Sequence, residues 1–163
     1  FLHNTQKSVT FKGAAPQTIL GTTATTFNNL VINNSSATGV TLSMPTTVNT
    51  ALTLTDGNVY TDATNLLILI DNATSTSGSS ASFVDGPLKK IGDDAFVFPM
   101  GDNLIWARIA MGTPGLTTDA FKAQYFDAPY ATLTPVNAHN QYESTVEHWI
   151  LDIKTGTSNV FVT

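Results

Sequence analysis

Short aliphatic triplets recur along the first half of the chain at a nearly constant spacing. Val9-Thr10-Phe11, Leu30-Val31-Ile32 and Leu52-Thr53-Leu54 follow one another at intervals of 21 and 22 residues. Turn-forming residues separate them, as in Asn33-Asn34-Ser35-Ser36 and Asp56-Gly57-Asn58, because these residue types accept the backbone angles of a corner. Strands too short to fold alone, repeated at a period of about 20 residues, are typical of a solenoid.

A second series of triplets lies between the first. Thr18-Ile19-Leu20 and Val40-Thr41-Leu42 are 22 residues apart, which predicts a second strand in each rung. The apolar run from Leu66 to Ile70 follows too soon for this period, so the repeat is expected to slip there. The aliphatic residues are predicted to stack in a core, and the threonines to face water. A β-sandwich of short strands is the alternative.

The second half contains longer segments in which apolar and polar residues alternate. Phe121, Ala123 and Tyr125 share one face and Lys122 and Gln124 the other, which is typical of an antiparallel strand with one wet face. By the same alternation Trp149 is predicted to lie in the core. The predicted strands are 95–98, 104–110, 120–126, 146–153 and 158–162.

A polar stretch of small residues, 71–82, separates the two halves and is typical of a loop or linker. We therefore predict two modules, a β-solenoid-like module at 1–84 and a β-sandwich-like module at 85–163 that continues beyond the given chain. The predicted fold class is all-β, with a short-rung, parallel β-helix-like solenoid followed by a small antiparallel β-sandwich.

Composition narrows the class of protein further. Only 12% of the residues are charged and the net charge is −5, so there is no basic surface for nucleic acid. Cysteine is absent, which excludes disulfides and thiol chemistry. No apolar run approaches the roughly 20 residues of a membrane span. Hydroxyl and amide side chains at the surface are typical of extracellular β-proteins, so an extracellular location is expected.

Several segments together carry a resemblance to a known group of proteins. In chain order they are FNNLVINN, VTLSMPTTVNTALTLTDGNVYT, SSASFVDGPLKKIG, AFVFPMGD, FKAQYFDA and HWILD. This series resembles the repeat-bearing regions of large secreted cell-surface proteins of Bacteroidetes, which the type IX secretion system exports. The resemblance implies a stalk or adhesin-like module, with no catalysis.

Two kinds of ligand have candidate residues. Asp93, Asp94 and Asp102 flank a predicted hairpin, and such oxygen-rich loops bind calcium in extracellular modules; the alternative is that they are solubilising turn carboxylates. Trp106 alternates with Arg108 on the face opposite Ile105, so its indole is a candidate for stacking on a sugar.

Candidates for catalysis are weak. His3, His139 and His148 lack the spacing of metal ligands, and Glu143 and Glu147, a conceivable glycosidase pair, are better explained as solvated carboxylates. We therefore expect a non-enzymatic structural or adhesive module without a resident cofactor, whose partners are neighbouring modules, like subunits or surface glycans. The alternatives are a carbohydrate- or calcium-dependent binding module and a polysaccharide-acting enzyme on a β-helix.

Overall fold

The structure is a computed structural model, and it describes residues 7–131 and 144–163. Within these ranges the chain forms sixteen strands and no helix, so no helix there is long and apolar enough to cross a membrane. In chain order the strands are β1 Ser8–Gly13, β2 Gln17–Ile19, β3 Thr25–Asn34, β4 Val40–Leu42, β5 Thr46–Asp56, β6 Val59–Tyr60, β7 Leu67–Leu69, β8 Thr74–Ser75, β9 Val84–Asp85, β10 Leu88–Ile91, β11 Phe96–Phe98, β12 Met100–Asp102, β13 Ile105–Trp106, β14 Ile109–Met111, β15 Ala120–Phe126 and β16 His148–Thr155.

The first part of the chain winds into a parallel β-solenoid of about four turns. Each rung gives one strand to a larger sheet, in the order β1-β3-β5-β7-β10, and one to a smaller sheet, in the order β2-β4-β6-β9-β12. All of these neighbours pair in parallel. The predicted all-β fold with a short-rung solenoid is confirmed.

The triplets of the first series stack directly on one another. Val9 pairs with Leu30, which pairs with Leu52, and Phe11 pairs with Ile32 in the same way. Leu30 and Ile32 are completely buried and Leu52 is 1% exposed, because alternate residues of each strand point into the space between the two sheets. The predicted aliphatic ladder is therefore present.

The spacing predicted for the second series of triplets, in β2 and β4, is wrong by one residue. Thr18 pairs with Thr41 and Ile19 with Leu42, so the spacing is 23 residues rather than 22. This pairing puts Ile19 and Leu42 together on the buried face. A shift of one residue would have turned one of the two side chains toward solvent.

The predicted slip of the repeat near residue 66 is wrong. Leu67, Ile68 and Leu69 pair with Thr46, Thr47 and Val48 in the first half of β5, which keeps the 21-residue spacing. The chain then leaves the sheet and returns as β8, which pairs with Ala51 and Leu52 in the second half of β5. The single long strand β5 thus pairs along its length with two short strands, β7 and β8.

Antiparallel strands follow the last parallel rung. In the larger sheet β10 pairs with β15 and β15 with β16, and elsewhere β12 pairs with β13 and β11 with β14. The predicted strand at 104–110 is divided at Ala107 and Arg108, because β13 pairs with β12 whereas β14 pairs with β11. Its first residue, Leu104, forms with Asn103 a two-residue turn between β12 and β13, and both residues have positive φ angles. Pro99 lies between β11 and β12.

Two expectations for the last strands differ from the structure. Trp149 is 39% exposed rather than in the core, because β16 is the outermost of the described strands in the larger sheet, with β15 on one side. Residues 158–162 form no regular strand. Val162 makes an isolated bridge to Met111, and the main chains of Ala110 and Thr163 exchange two hydrogen bonds.

The boundary predicted between residues 84 and 85 falls within β9. The larger sheet runs from β1 to β16 without interruption, and one cluster of buried residues extends from Ile19 to Tyr125. Pairing changes from parallel to antiparallel between β10 and β15. The two predicted halves therefore share both a sheet and a core.

Candidate functional site

Three carboxylates meet at one corner of the last solenoid rungs. Asp71 follows β7, and Asp93 and Asp94 lie between β10 and β11 on the next rung. One ligand atom from each lies within 4.8 Å of the others. Asp102, the third residue of the predicted calcium set, is not in this group; its Oδ2 accepts a hydrogen bond of 3.1 Å from the main-chain N–H of Asp127.

A buried ammonium group lies at the same corner. Lys90 is 0% exposed, and its Nζ donates to the carbonyls of Ile70 at 2.9 Å and Ala73 at 3.1 Å. The third acceptor is Asp94 Oδ2 at 3.0 Å. The ring of Phe96 lies 5.6 Å from the ammonium, so the charge has an acceptor for every proton and an aromatic neighbour.

Lys90 favours the ionised form of the Asp94 carboxyl. Its hydrogen bond to Asp94 is the largest cause that holds the pKa of the Asp94 carboxyl below its usual range, and the main-chain N–H of Asn72 donates to the same oxygen at 2.9 Å. A calcium role for Asp93 and Asp94 stays a prediction. Lys90, Asp94 and Asn72 thus form a hydrogen-bonded staple that joins two rungs at this corner.

One oxygen at the corner remains without a partner among the described residues. Asp71 Oδ1 is buried and accepts no hydrogen bond in this part of the chain. It packs against Gly92, where a Cβ atom would lie 2.4 Å from it. Gly92 has a φ of 131°, a conformation that other residues rarely adopt. Gly92 therefore lets the two rungs approach closely at this point.

A groove opens next to this corner. It has a volume of about 310 Å³, and its two walls are residues 72–75 and 94–97. Asp94 belongs to both the acidic corner and the groove. The groove is thus lined by a carboxylate, hydroxyls and apolar side chains.

Trp106 is held in a fixed orientation on the smaller sheet. Its Nε1–H donates to the carbonyl of Ser77 at 3.2 Å, and the guanidinium of Arg108 lies 5.3 Å from the ring centre. Arg108 therefore covers part of the indole that the sequence assigned to a sugar. Trp106 does not lie in the wall of the groove described above.

The carboxylate of Glu147 serves local structure. Glu147 accepts a hydrogen bond of 2.5 Å from the hydroxyl of Tyr125; burial first, and this bond second, raise the pKa of Tyr125. Trp149 packs against the Tyr125 ring at 5.0 Å. Glu143 lies outside the described residues.

His148 is the one predicted histidine within the described residues, since His3 and His139 lie outside them. Its ring stacks on Phe126 at 4.6 Å, and its Nδ1 lies 2.7 Å from the carbonyl of Ala128. These contacts hold it at the end of the antiparallel part of the larger sheet.

A carboxyl with a raised pKa lies on the smaller sheet. Burial, and then the charge of Asp102, raise the pKa of Asp85 to about 6. Asp85 is paired with Gly101 across β9 and β12, one residue before Asp102. Two carboxyl groups are thus close in neighbouring rungs, and the half-buried Asp85 holds its proton more tightly than a free carboxyl does.

Lys90 and Asp71 were missed in the sequence. The alternation in Leu88-Lys89-Lys90-Ile91 was a signal for Lys90, since it puts Lys90 on the same face as the buried Leu88. Asp71 could not be found in this way because it lies in a turn, and its proximity to Asp93 depends on the stacking of two rungs.

Comparison with known proteins gives no relative for the chain. No protein-family model matches it, and no curated protein or solved structure shows significant similarity. The functional argument therefore depends on the geometry described above.

Proposed function

We propose that the chain is a non-enzymatic structural or adhesive module of a secreted cell-surface protein. The observation that carries this proposal is the in-register stacking of Val9, Leu30 and Leu52, with completely buried aliphatic residues in successive rungs. A solenoid of this kind extends by repetition, so its length sets a distance and its outer face presents a regular surface.

The surface chemistry supports an extracellular setting. Threonine, serine and asparagine occupy the outward positions, as in Thr10 of β1 and Thr55 of β5, both exposed. A net charge of −5 without cysteine suits a stable extracellular repeat that does not depend on disulfides. The resemblance to Bacteroidetes cell-surface repeats supports the same setting, and export by the type IX system belongs to this proposal.

Surface labelling of intact cells tests the proposal. An antibody raised against the recombinant chain should label unpermeabilised cells of the source organism, and external protease should remove the label. A cytoplasmic protein detected in the same cells only after permeabilisation serves as the control. Labelling that appears only after permeabilisation would overturn the proposed location.

A second measurement tests the role as a spacer. Duplicating residues 25–45, one rung of the solenoid, should lengthen the folded chain by about 4.8 Å, the distance between neighbouring strands. Small-angle scattering of the two purified proteins measures this change. An insertion that unfolds the chain would contradict the additive stacking on which the proposal depends.

A further inference from the structure

The two outermost described strands of the larger sheet, β1 and β16, run in the same direction. Every neighbouring pair from β1 to β10 is parallel. The two pairings that follow, β10 with β15 and β15 with β16, are antiparallel, so the strand direction reverses twice. A second copy of the chain, displaced along the solenoid axis without being turned over, would therefore bring its β16 alongside β1 as one more parallel strand.

The apolar interior of the first rung is open at the β1 end. Val9 and Phe11 of β1 pack against the core but are only partly buried, and Leu20, directly after β2, is exposed. An opening of about 240 Å³ lies between these residues and Phe27 of the next rung. Solenoids need a cover at such an end, because stacked aliphatic side chains are otherwise left in water.

The outer strand at the other end, β16, carries a similar row of apolar side chains. Trp149, Leu151 and Ile153 lie on the core side of β16, since each is opposite a buried residue of β15. Trp149 and Ile153 are nevertheless exposed. On the outer side of the same strand, the Asp152 side chain is 40% exposed. Both outer strands thus alternate apolar residues on the core side with polar or charged residues on the outer side.

Main-chain groups on the free side of β1 belong to alternate residues. The N–H of Ser35, which follows β3, donates to the carbonyl of Gly13. Because successive residues of a strand direct their main-chain groups to opposite sides, those of Thr10 and Lys12 point away from β3. No described strand pairs with that side of β1. An added strand would satisfy these groups by the ordinary hydrogen bonds of a sheet.

We propose that the chain assembles head to tail, with β16 of one copy added to β1 of the next as a parallel strand. The occupant of the open end is therefore a second copy of the chain. Such a contact joins two different surfaces, so it does not close on itself and extends the solenoid into a filament. This assembly deepens the structural role proposed above, because the spacer then grows by addition of whole copies.

The side chains select one register for this contact. The apolar rows of both strands must share the core side, which excludes a shift of one residue. When Lys12 lies beside Asp152, Phe11 lies beside Leu151. A shift of two residues would put Lys12 beside Lys154, where like charges repel. A shift of two in the other direction would leave Lys12 without a carboxylate beside it.

The distribution of charge favours contact between opposite ends over contact between two β1 ends. All twelve acidic residues lie at or after Asp56, whereas Lys7 and Lys12 are the only Asp, Glu, Lys or Arg residues before it. Two β1 ends brought together would therefore bring lysines together without a carboxylate from this part of the chain. A contact between β1 and β16 instead combines a lysine with an aspartate.

Sedimentation velocity of the full 163-residue chain tests the proposal, over concentrations up to about 1 mM, where weak contacts are populated. We expect species larger than a dimer that increase with concentration, because every head-to-tail oligomer keeps a free β1 and a free β16. A chain that stays monomeric at all concentrations, or that stops at a closed dimer, would overturn the proposal.

Reversal of one charge at a time tests the register. Lys12→Asp and Asp152→Lys each put like charges side by side, and each should weaken association about tenfold. An equimolar mixture of the two variants should associate again, because each altered residue then meets its complement. Lys89→Asp is the matched control, since it makes the same change in charge on β10, inside the sheet, and should associate as the wild type does. Undiminished association of both single variants, or a mixture that stays monomeric, would contradict the register.

A variant of the main chain tests strand addition itself. Thr10→Pro removes an N–H from the free side of β1, a position where an edge strand tolerates proline, and should abolish association. Circular dichroism establishes that each variant is folded at the temperature of the run. Association of folded Thr10→Pro at the wild-type level would overturn strand addition at β1. Surface labelling of cells with a monomeric chain would remove only the assembly, and assembly without surface labelling only the location.

Discussion

Lys90 shows how one residue changes the interpretation of an acidic cluster. Asp93 and Asp94 suggest a cation site in the sequence, and the structure adds Asp71 to them. The cation at this corner is an ammonium of the chain itself, bonded to Asp94 and to the carbonyls of Ile70 and Ala73. Because a buried charge is costly without its partners, the three acceptors of Lys90 are needed for the stability of the fold.

Replacement of this lysine should destabilise the protein. Lys90→Met leaves the Asp94 carboxylate and two carbonyls without their donor, and we expect a loss of about 2 to 3 kcal/mol in the free energy of unfolding. The control is Lys89→Met, because Lys89 points to the other face beside Lys122 and should change stability by less than about 0.5 kcal/mol. Urea titrations of the two variants measure the difference, and equal losses would contradict the staple.

Asp85 gives a prediction that depends on pH. Its folded-state pKa of about 6 lies above the ordinary 3.8, so the folded protein binds this proton more tightly than the unfolded chain. The stability that Asp85 contributes is therefore present at low pH and is lost as the pH rises from about 4 to about 6. Asp85→Asn should raise stability at pH 7.5 by on the order of 1 kcal/mol, since Asp85 is only half-buried. Thermal melts should show no comparable gain at pH 4, and equal effects at both pH values would contradict the assignment.

At the scale of elements, the stacked rung is the unit that the sequence predicts. Leu52 lies on the ladder below Leu30, whereas Thr53 is half-buried on the opposite face of β5. Leu52→Asp puts an unpaired charge into the core and should cost several kcal/mol, enough to unfold this part of the chain. Thr53→Asp should cost about 1 kcal/mol or less, mainly through its lower β-propensity. Circular dichroism melts compare the two, and similar melting temperatures would refute the stacked core.

The accuracy of the sequence-based prediction follows from what determines each element. The triplets around Leu30 and Leu52 were predictable because burial on one face fixes both periodicity and register. The division of 104–110 was not predictable, because β13 and β14 pair with two different strands, β12 and β11, and no turn residue marks the break at Ala107-Arg108. The groove was also hidden, because it depends on the distance between β8 and β11 and leaves no pattern in either strand.

At the scale of the whole molecule, the two predicted modules are physically joined. The larger sheet is continuous from β1 to β16, and one core cluster includes residues from both sides of the boundary predicted at 84/85. Contacts of this kind couple the stability of the two parts. We therefore expect them to unfold together, although the sequence divides them by composition.

The positions of the tryptophans allow this coupling to be measured. Both Trp106 and Trp149 lie after residue 85, so tryptophan fluorescence reports on the second part of the chain, while far-UV circular dichroism reports on all of it. The two signals should give one urea midpoint in the wild type. Leu52→Ala, which removes about 2 to 5 kcal/mol from the core of the first part, should lower both midpoints equally, because the solenoid supports β10 and through it β15 and β16. If the fluorescence midpoint stays at its wild-type value while the dichroism midpoint falls, the two parts unfold independently and the continuous sheet does not transmit stability across β10.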